Sequence, residues 1–371
     1  MMMIRRNLLA LAALLALPAA ARPAPLVDCP LRDAPYSIDS PLIDILLNPR
    51  ARALALAATG ADLAKAPPIF TGTTPPTFAA ILTIKEAAPI LGGTTARLPD
   101  LDRQLRALPV TRADKVARCA RYDTAPPHLT LPQGTGARLL LFEKINGFRD
   151  VPSVNAAHAA LVSLAAAKGW RLVTTDRGAA FNPKTLSQFD AVIWNNISGD
   201  VLTLPQRRAF QAFLARGGGY VGVHGSAGDP VYFWDWYPDT LIGARFAGHP
   251  MDPQFQQARI ATDQTHPLST GLPPEWRMTD EWYSFKTNPR TTGARVLLTL
   301  DETTYTRKGR FGEPLDMGPD HPVAWTRCLG KGRIFYSAIG HLPETYRQPN
   351  YVTLLGNAIA WAATGRDGAC T

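Results

Sequence analysis

The sequence predicts an α/β protein, with a doubly wound, mostly parallel sheet preceded by a small all-α domain. From residue 138 onward, short apolar runs alternate with helical segments, which is the pattern of strand–helix–strand units. Before residue 133 the chain contains short helical stretches and no convincing strand. We therefore expect a helical N-terminal domain with its linker over residues 22–132, and the α/β domain over residues 133–371.

The first 21 residues have the features of a signal peptide. Arg5 and Arg6 form a positively charged start, Leu8–Leu17 is apolar, and Ala19–Ala21 offers a small-residue cleavage site. The apolar stretch is too short to span a bilayer. We expect a mature chain that begins near Arg22 and is periplasmic or secreted, with no membrane insertion after cleavage. Export by the Sec route is the main expectation, and the paired arginines leave the twin-arginine route as the alternative.

The composition is that of an ordinary globular protein with a cationic surface. The formal net charge of the 371-residue chain is +9, but arginine and lysine are spread along the sequence without a basic run. This distribution argues against a nucleic-acid partner. The four cysteines are widely spaced, and an even number in an exported chain suggests disulfides. Sequence order favours the pairs Cys29–Cys119 and Cys328–Cys370.

Four helices are predicted in the N-terminal domain. Ser40–Leu47 begins with a serine cap and a proline at the first helical position, and Arg50–Ala58 ends before a glycine. Phe78–Ala87 and Leu101–Leu108 are two further helical runs. Because no chemical motif occurs before the proline- and glycine-rich linker at 125–136, we interpret this region as an accessory or packing domain.

The α/β domain is predicted from alternating elements. The predicted strands are Arg138–Phe142, Trp170–Thr174, Ala191–Trp194, Tyr220–Val223, Arg295–Leu300, Val323–Cys328 and Arg333–Ala338, and the predicted helices are Val154–Lys168, Pro205–Arg216 and Tyr351–Ala363. In doubly wound sheets, ligands bind beyond the carboxyl ends of the strands. The polar stretches at these ends are Glu143–Asp150, Asn195–Asp200 and His224–Asp229.

The stretch Gly217–Ser226 organises this domain. Three glycines end a predicted helix, and the apolar run Tyr220–Val223 then stops at His224 and a glycine. A strand that ends in small residues with one protruding polar side chain has the layout of a nucleophile elbow. Here the protruding residue is a histidine. A core strand followed by an incidental histidine is the alternative interpretation.

Aromatic residues and carboxylates follow in two places. Trp234, Trp236 and Tyr237 lie in a loop that also contains Asp229, a combination suited to the apolar faces and hydroxyls of a sugar. Packing of the loop against the core is the alternative. Farther on, Asp280–Tyr283 places two adjacent carboxylates beside two aromatic residues.

Most histidines lie in predicted loops of the α/β domain. These are His224, His249, His266, His321 and His341. Several of them follow or precede predicted strands and have carboxylates nearby. They form a site only if the fold brings them together.

Several motifs occur in an order that points to a known family. They are Lys144–Arg149, Asn195–Leu202, Gly217–Ser226, Phe246–Pro250, His266–Pro267 with Gly271–Pro273, Asp280–Tyr283, Leu300–Glu302, Asp320–Trp325 and Gly340–His341. With these motifs the chain resembles the trehalose-utilisation (ThuA-like) family over roughly Arg138–Thr364. The resemblance implies a class I glutamine amidotransferase-like, flavodoxin-like fold.

Two positions depart from what the resemblance implies. The elbow of the amidotransferases carries a nucleophilic cysteine, and that position is His224 here, so thiol chemistry is not expected. After Gly147–Arg149 the family usually has a histidine, and this chain has Asp150. Asp150 would act as a base or ligand in its place, or the role is lost.

The resemblance implies carbohydrate catabolism, with a 3-keto sugar or keto-glycoside as the small-molecule substrate and a sugar dehydrogenase as its partner. A hydrolase or lyase of this kind needs a general base, a general acid and an oxyanion stabiliser, which histidines and carboxylates supply. The sequence identifies no cofactor with certainty. A divalent metal held by histidine and carboxylate ligands would also polarise the ketone, although no HxH or HExxH spacing occurs.

The candidate residues follow from this chemistry. His224 is the central acid/base, Asp280 or Glu281 is its carboxylate partner, and three further histidines support it: His249, His321 and His341. The candidate substrate-binding residues are Lys144, Phe148, Arg149, Asp150, Asn195, Asp229, Trp234, Trp236, Tyr237, Trp282 and Tyr283. Two other functions stay open at this point: a non-catalytic sugar-binding module, and a structural protein whose helical domain docks a partner.

Overall fold

The computed structural model describes residues 25–61, 66–365 and 370. The expected signal peptide, residues 1–21, lies outside these described residues. Both predicted disulfides are confirmed, because Cys29 is bonded to Cys119 and Cys328 to Cys370. Within the part of the chain that is described, no helix is both long and apolar enough to cross a membrane.

A group of helices precedes the first strand. Its members in the described residues are α1 (Leu42–Leu47), α2 (Pro49–Thr59), α3 (Pro68–Thr71), α4 (Ile84–Ile90), α5 (Leu98–Arg106) and α6 (Arg112–Cys119). Their apolar faces form a core of their own, in which Ile45, Leu101 and Leu105 are fully buried. The Cys29–Cys119 disulfide ties the start of this helical segment to its last helix.

The limits of the four predicted helices all differ from those observed, and for two of them local contacts give the reason. Ser40 does not cap α1, because Pro41 occupies the N-cap and the Ser40 hydroxyl instead accepts from the backbone N–H of Ser37 at 2.9 Å. The predicted helix Phe78–Ala87 is divided into a 3₁₀ turn and α4. The division lies at Thr83, whose side chain and that of Glu86 form a reciprocal cap that starts a new helix.

One nine-stranded sheet dominates the rest of the chain. The strands are β1 (Arg138–Phe142), β2 (Arg171–Thr175), β3 (Ala191–Asn195), β4 (Gly219–Val223), β5 (Phe246–Gly248), β6 (Phe255–Thr262), β7 (Glu275–Glu281), β8 (Ser284–Phe285), β9 (Arg295–Asp301), β10 (His321–Leu329) and β11 (Gly332–Ser337). The order in the large sheet is β2-β1-β3-β4-β11-β10-β9-β6-β7, and β5 and β8 form a separate pair. Pairings from β2 to β11 are parallel and those from β11 to β7 are antiparallel, so the sheet is mixed.

Helices cover both faces of the sheet. They are α7 (Val151–Lys168), α8 (Pro183–Leu186), α9 (Leu204–Ala215) and α10 (Pro349–Thr364). In β4, the Gly219 backbone lies against Ala362 of α10, whereas the next residue, Tyr220, packs on Phe210 of α9. Because successive residues of a strand point to opposite faces, α9 and α10 lie on opposite sides of the sheet.

Strands β6 and β7 were not among the predicted elements. In β7 the buried positions alternate, but one of them is the carboxylate Asp280 in place of an apolar residue. In β6, Gln256 is half-buried and Gln257 is exposed, and the burial alternates only from Ala258 onward. The apolar–polar alternation of β7 therefore ends at Thr279, and β6 begins with two adjacent glutamines after Phe255, so neither strand carries the period-2 apolar pattern over its whole length.

Candidate functional site

A cleft of about 750 Å³ opens beyond the carboxyl ends of the parallel strands. Loops after β1, β3, β4 and β11 contribute to it, as expected for a doubly wound sheet. Four polar residues lie together in it: His224, His249, Glu281 and His341. The opposite wall comes from the helical segment, including Phe70 and Phe78. The helical segment, interpreted from the sequence as an accessory or packing domain, therefore also contributes side chains to the cleft.

His224 occupies the elbow after β4. It has a positive φ of 39°, is 4 % exposed, and begins a 3₁₀ turn directly after the strand. Such a conformation is strained for a residue with a β-carbon and persists only where its surroundings fix it. Two contacts do so here: the ring Nδ1–H donates to the Ala338 carbonyl at 2.7 Å, and the His224 carbonyl accepts from the Tyr336 hydroxyl at 2.8 Å.

The tautomer of His224 follows from its partner. A carbonyl oxygen only accepts, so Nδ1 carries the proton and Nε2 of the neutral ring carries a lone pair. This Nε2 faces the cleft cluster. It lies 3.0 Å from the Tyr283 hydroxyl, 3.2 Å from His341 Nδ1 and 3.4 Å from Glu281 Oε2.

Glu281 is the centre of the cluster and is only 1 % exposed. Its Oε2 lies 3.0 Å from His341 Nδ1, and its Oε1 lies 3.1 Å from His249 Nδ1. The side-chain amide of Gln254 also donates to Oε1. Both carboxylate oxygens are therefore held by side chains from separate loops.

The charges of Glu281 and His341 stabilise each other. Burial alone would raise the pKa of Glu281, but the nearby imidazoles of His224 and His341, 3.4 Å and 3.0 Å from its Oε2, outweigh it and hold the pKa below its usual range. Burial alone would lower the pKa of His341, but its hydrogen bond to Glu281 and the charge of that carboxylate raise it. The geometry is therefore that of a buried ion pair at the floor of the cleft.

Asp280, the neighbour of Glu281 in β7, faces away from the cleft cluster. Its oxygens accept from the backbone N–H groups of Gly340, His341 and Leu342 and from the Thr345 hydroxyl. Asp280 thus fixes the loop that carries His341. The loop approaches closely because residue 340 is a glycine with φ of 138°, where an added β-carbon would come within 3.1 Å of the His224 side chain.

His321 is also outside the cleft. It begins β10, is completely buried, and contacts the Tyr283 carbonyl through Nε2 at 2.8 Å. Its Nδ1 lies 2.8 Å from Glu302 and 3.1 Å from the Tyr305 hydroxyl. We infer that His321 positions the backbone of Tyr283, whose hydroxyl reaches the cluster.

Four predicted substrate-binding residues do line the cleft: Phe148, Asp150, Asp229 and Tyr283. Asp150 also caps α7 by accepting from the Ser153 backbone at 3.0 Å. Burial raises the pKa of Asp229 to about 7, although the Ser198 hydroxyl and the Gly199 N–H donate to its carboxylate.

The other predicted substrate-binding residues lie elsewhere. They are Lys144, Arg149, Asn195, Trp234, Trp236, Tyr237 and Trp282, and none of them lines the cleft. Lys144 pairs with Asp123, Asn195 donates to Glu143 at 2.7 Å, and the Trp282 ring N–H donates to the Gln256 carbonyl. Arg149 is exposed.

The aromatic loop packs against the core. Tyr237 stacks on Trp194 at 5.2 Å and is 5 % exposed, while Trp234 and Trp236 stack on each other at 5.0 Å. The Arg207 guanidinium lies over Trp234 at 4.7 Å. Of the two interpretations of this loop, the geometry matches packing against the core.

Sequence reasoning missed the residues that complete the cleft. Gln254 holds Glu281 from a segment without any motif. Phe70 and Phe78 stack at 4.8 Å, and Phe78 stacks on Phe148 at 5.0 Å, so a row of rings connects the helical segment to the α/β part. Phe148 then lies 6.3 Å from the His341 ring. Only the phenylalanines themselves offered a signal, and single aromatic residues in short helices more often pack a core.

The fold and the cleft together define an α/β protein whose site lies beyond parallel strands, with a histidine at the elbow. Residues 138–362 match the sequence profile of the ThuA family, described as trehalose utilisation. Because this match covers more than half of the chain, the protein belongs to the ThuA family, and the family description ties it to a carbohydrate-related role. No curated protein is significantly similar to it in sequence.

One solved structure supports the fold, and two others are similar at lower TM-scores. A ThuA-like protein from Bacteroides uniformis is 22 % identical, with a TM-score of 0.54 over 64 % of this chain and 97 % of its own. A ThuA-like protein from Parabacteroides merdae is 20 % identical, with a TM-score of 0.47 over 64 % of this chain and 92 % of its own. A β-galactosidase from Rahnella sp. R3 is 15 % identical, with a TM-score of 0.40 over 71 % of this chain and 34 % of its own. Of these three structures, only the one from Bacteroides uniformis has a TM-score above 0.5, so only that similarity bears on the fold.

Proposed function

We propose that this protein is an enzyme that cleaves a keto-glycoside, such as a 3-keto sugar derivative, by acid–base chemistry at the cluster of His224, Glu281 and His341. One observation carries the proposal: three ionisable side chains meet at the floor of a cleft in a chain of a carbohydrate-related family. The elbow position of His224 also supports the amidotransferase-like arrangement implied by the resemblance, without its thiol chemistry.

The chemistry begins with the ketone. A ketone at C3 of a glycoside acidifies the C2–H bond, so a base removes this proton while the electron pair forms the C1–C2 double bond. The C1–O bond breaks and an acid protonates the departing oxygen. Water then adds to the double bond and gives the free keto sugar. This sequence needs one group that accepts a proton and one that donates it.

The two histidines differ in the way that this reaction requires. The Nδ1–H of His224 is used by the Ala338 carbonyl, so the atom of this ring that is available to accept a proton is Nε2, which faces the cleft. His341 has a raised pKa because the hydrogen bond to Glu281 outweighs the effect of burial, so it is the protonated member. We assign His224 as the general base and His341 as the general acid, with Glu281 holding the charge of His341.

We also propose that the protein is exported and that a sugar dehydrogenase supplies the ketone. The disulfides Cys29–Cys119 and Cys328–Cys370 are compatible with a periplasmic or extracellular location. Intact-mass analysis of material from the periplasm should give a chain that begins near Arg22. A chain that still contains Met1 would contradict export with cleavage.

The test of function is turnover of a 3-keto-glucoside or of 3-keto-trehalose by the pure protein. His224→Gln keeps much of the volume but removes the ring nitrogen that accepts the proton, so the rate should fall by at least ~100-fold. His158→Gln is the matched control, because His158 lies on α7 and pairs with Glu143 outside the cleft. Unchanged turnover in His224→Gln would remove this residue from the mechanism. Sugar binding without any turnover would favour the binding-module function.

A further inference from the structure

The three atoms that converge in the cleft also form a set of metal ligands. They are His224 Nε2, Glu281 Oε2 and His341 Nδ1, and each lies within 4.8 Å of the others. We propose that these side chains bind one divalent transition-metal cation of the Mn²⁺, Fe²⁺, Co²⁺ or Zn²⁺ class. The inference does not rest on keto-glycoside turnover, because cation binding is measured without a sugar.

The spacing of the atoms fits a single cation. The three separations are 3.0 Å between Glu281 and His341, 3.2 Å between the two histidines, and 3.4 Å between His224 and Glu281. With metal–ligand bonds of about 2.1 Å, ligands at a right angle lie about 3.0 Å apart, and ligands at a tetrahedral angle about 3.4 Å apart. The triangle therefore spans the range between octahedral and tetrahedral coordination.

The surroundings orient each ligand. The Nδ1–H of His224 donates to the Ala338 carbonyl, which is the outer partner that metal-bound histidines usually have. Oε1 of Glu281 is held by Gln254 and His249, so Oε2 is directed at His224 and His341. Asp280 accepts the backbone N–H of His341 and fixes that residue in its loop.

The donor set selects the class of cation. Two imidazole nitrogens and one carboxylate suit Zn²⁺, Fe²⁺ and related ions, whereas Mg²⁺ and Ca²⁺ prefer an all-oxygen shell. Three protein ligands at the floor of an open cleft leave positions for water or for a substrate oxygen, which is the mark of a catalytic site in contrast to a structural one. A bound cation would polarise the ketone, so the proton roles given to the two histidines apply to the metal-free protein.

The experiment measures cation binding by the full chain without an affinity tag. After chelation and dialysis, calorimetric titration with Zn²⁺, Mn²⁺ and Co²⁺ should show one site, and Co²⁺ should give visible absorption bands. Glu281→Gln and His341→Ala should each weaken binding by at least ~100-fold. His158→Ala and Glu143→Gln are the matched controls, since these residues form another histidine–carboxylate pair, 3.0 Å apart, outside the cleft.

The outcomes separate this inference from the proposed function. No binding to the wild-type chain, or full binding by folded Glu281→Gln, would overturn the cation site. Should a variant fail to fold, as shown by its thermal unfolding, the Co²⁺ spectrum of the wild-type chain still decides, because absorption bands typical of hexaaquo Co²⁺ would refute coordination by imidazole. Turnover by metal-stripped protein that binds no cation would leave the acid–base function intact, whereas cation binding without turnover would retain only the metal site.

Discussion

Asp229 should make the stability of this protein fall as the pH rises toward neutrality. Its carboxyl is 6 % exposed, and burial raises its pKa from 3.8 to about 7. A raised folded-state pKa means that the folded chain retains a proton that the unfolded chain has already released. The contribution of the protonated Asp229 carboxyl to the free energy of unfolding is therefore complete below about pH 4. It declines above that pH and is lost above about pH 7. A shift of about 3 units, at about 1.4 kcal/mol each, corresponds to about 4 kcal/mol.

The perturbation that tests this is Asp229→Asn, which stays neutral throughout. Asparagine retains an oxygen for the Gly199 N–H, and the Ser198 hydroxyl is able to rotate and accept from its amide. We expect urea unfolding to show that, between about pH 4 and about pH 8, the free energy of unfolding of the variant rises by about 4 kcal/mol relative to that of the wild-type chain.

Asp235→Asn is the control for that measurement. Asp235 lies in the same loop region with an 80 % exposed side chain that pairs with Arg245, so this variant controls for the removal of one surface charge. The reasoning about Asp229 would be refuted if the difference between Asp229→Asn and the wild-type chain stayed constant with pH. A difference that changed in the opposite direction would also refute it.

Three further predictions concern the parts that support the site. Asp280→Asn replaces one acceptor oxygen by a donor, so a buried N–H in the loop of His341 loses its partner. Urea unfolding should show that the free energy of unfolding falls by about 1–3 kcal/mol. An unchanged unfolding midpoint would contradict this. Phe78→Ala interrupts the row of stacked rings, so KM should rise roughly 3–10-fold with kcat retained; a fall in kcat alone would argue against a binding role. Cys29→Ser with Cys119→Ser opens a loop closed over a separation of 90 residues, which should cost about 4–5 kcal/mol in unfolding free energy, and equal stability would contradict that estimate.

The parallel half of the sheet could be predicted because its signals are local. The strand Arg138–Phe142 has the predicted limits, and the predicted strand Tyr220–Val223 is extended by one residue, to Gly219. Both strands are buried on both faces, and such strands are continuous apolar runs that need no partner to be recognised. The position of His224 beyond its strand followed from the same pattern, since a helix, glycines and an apolar run occur in order.

The composition of the site could not be predicted to the same extent, because it depends on contacts between distant segments. Trp234 and Trp236 have the residue types expected of a sugar platform, but whether an aromatic loop faces a cleft or a core depends on what packs against it. Here the loop meets Trp194 and Arg207. In contrast, Phe78 lies in a helical segment without any motif and still forms a wall of the cleft.

The adjacent carboxylates Asp280 and Glu281 were predicted as alternatives for one role, and the structure gives them two. Successive residues of a strand point in opposite directions, so at the end of β7 only one of the two faces His224. That one is Glu281, whose Oε2 lies 3.0 Å from the side chain of His341. Asp280 accepts the backbone N–H of the same His341, also at 3.0 Å. One carboxylate therefore fixes the backbone of this histidine and the other pairs with its ring, so the pair acts as a unit: replacing Asp280 should disturb the site by moving His341, and replacing Glu281 should disturb it by removing the charge that His341 needs.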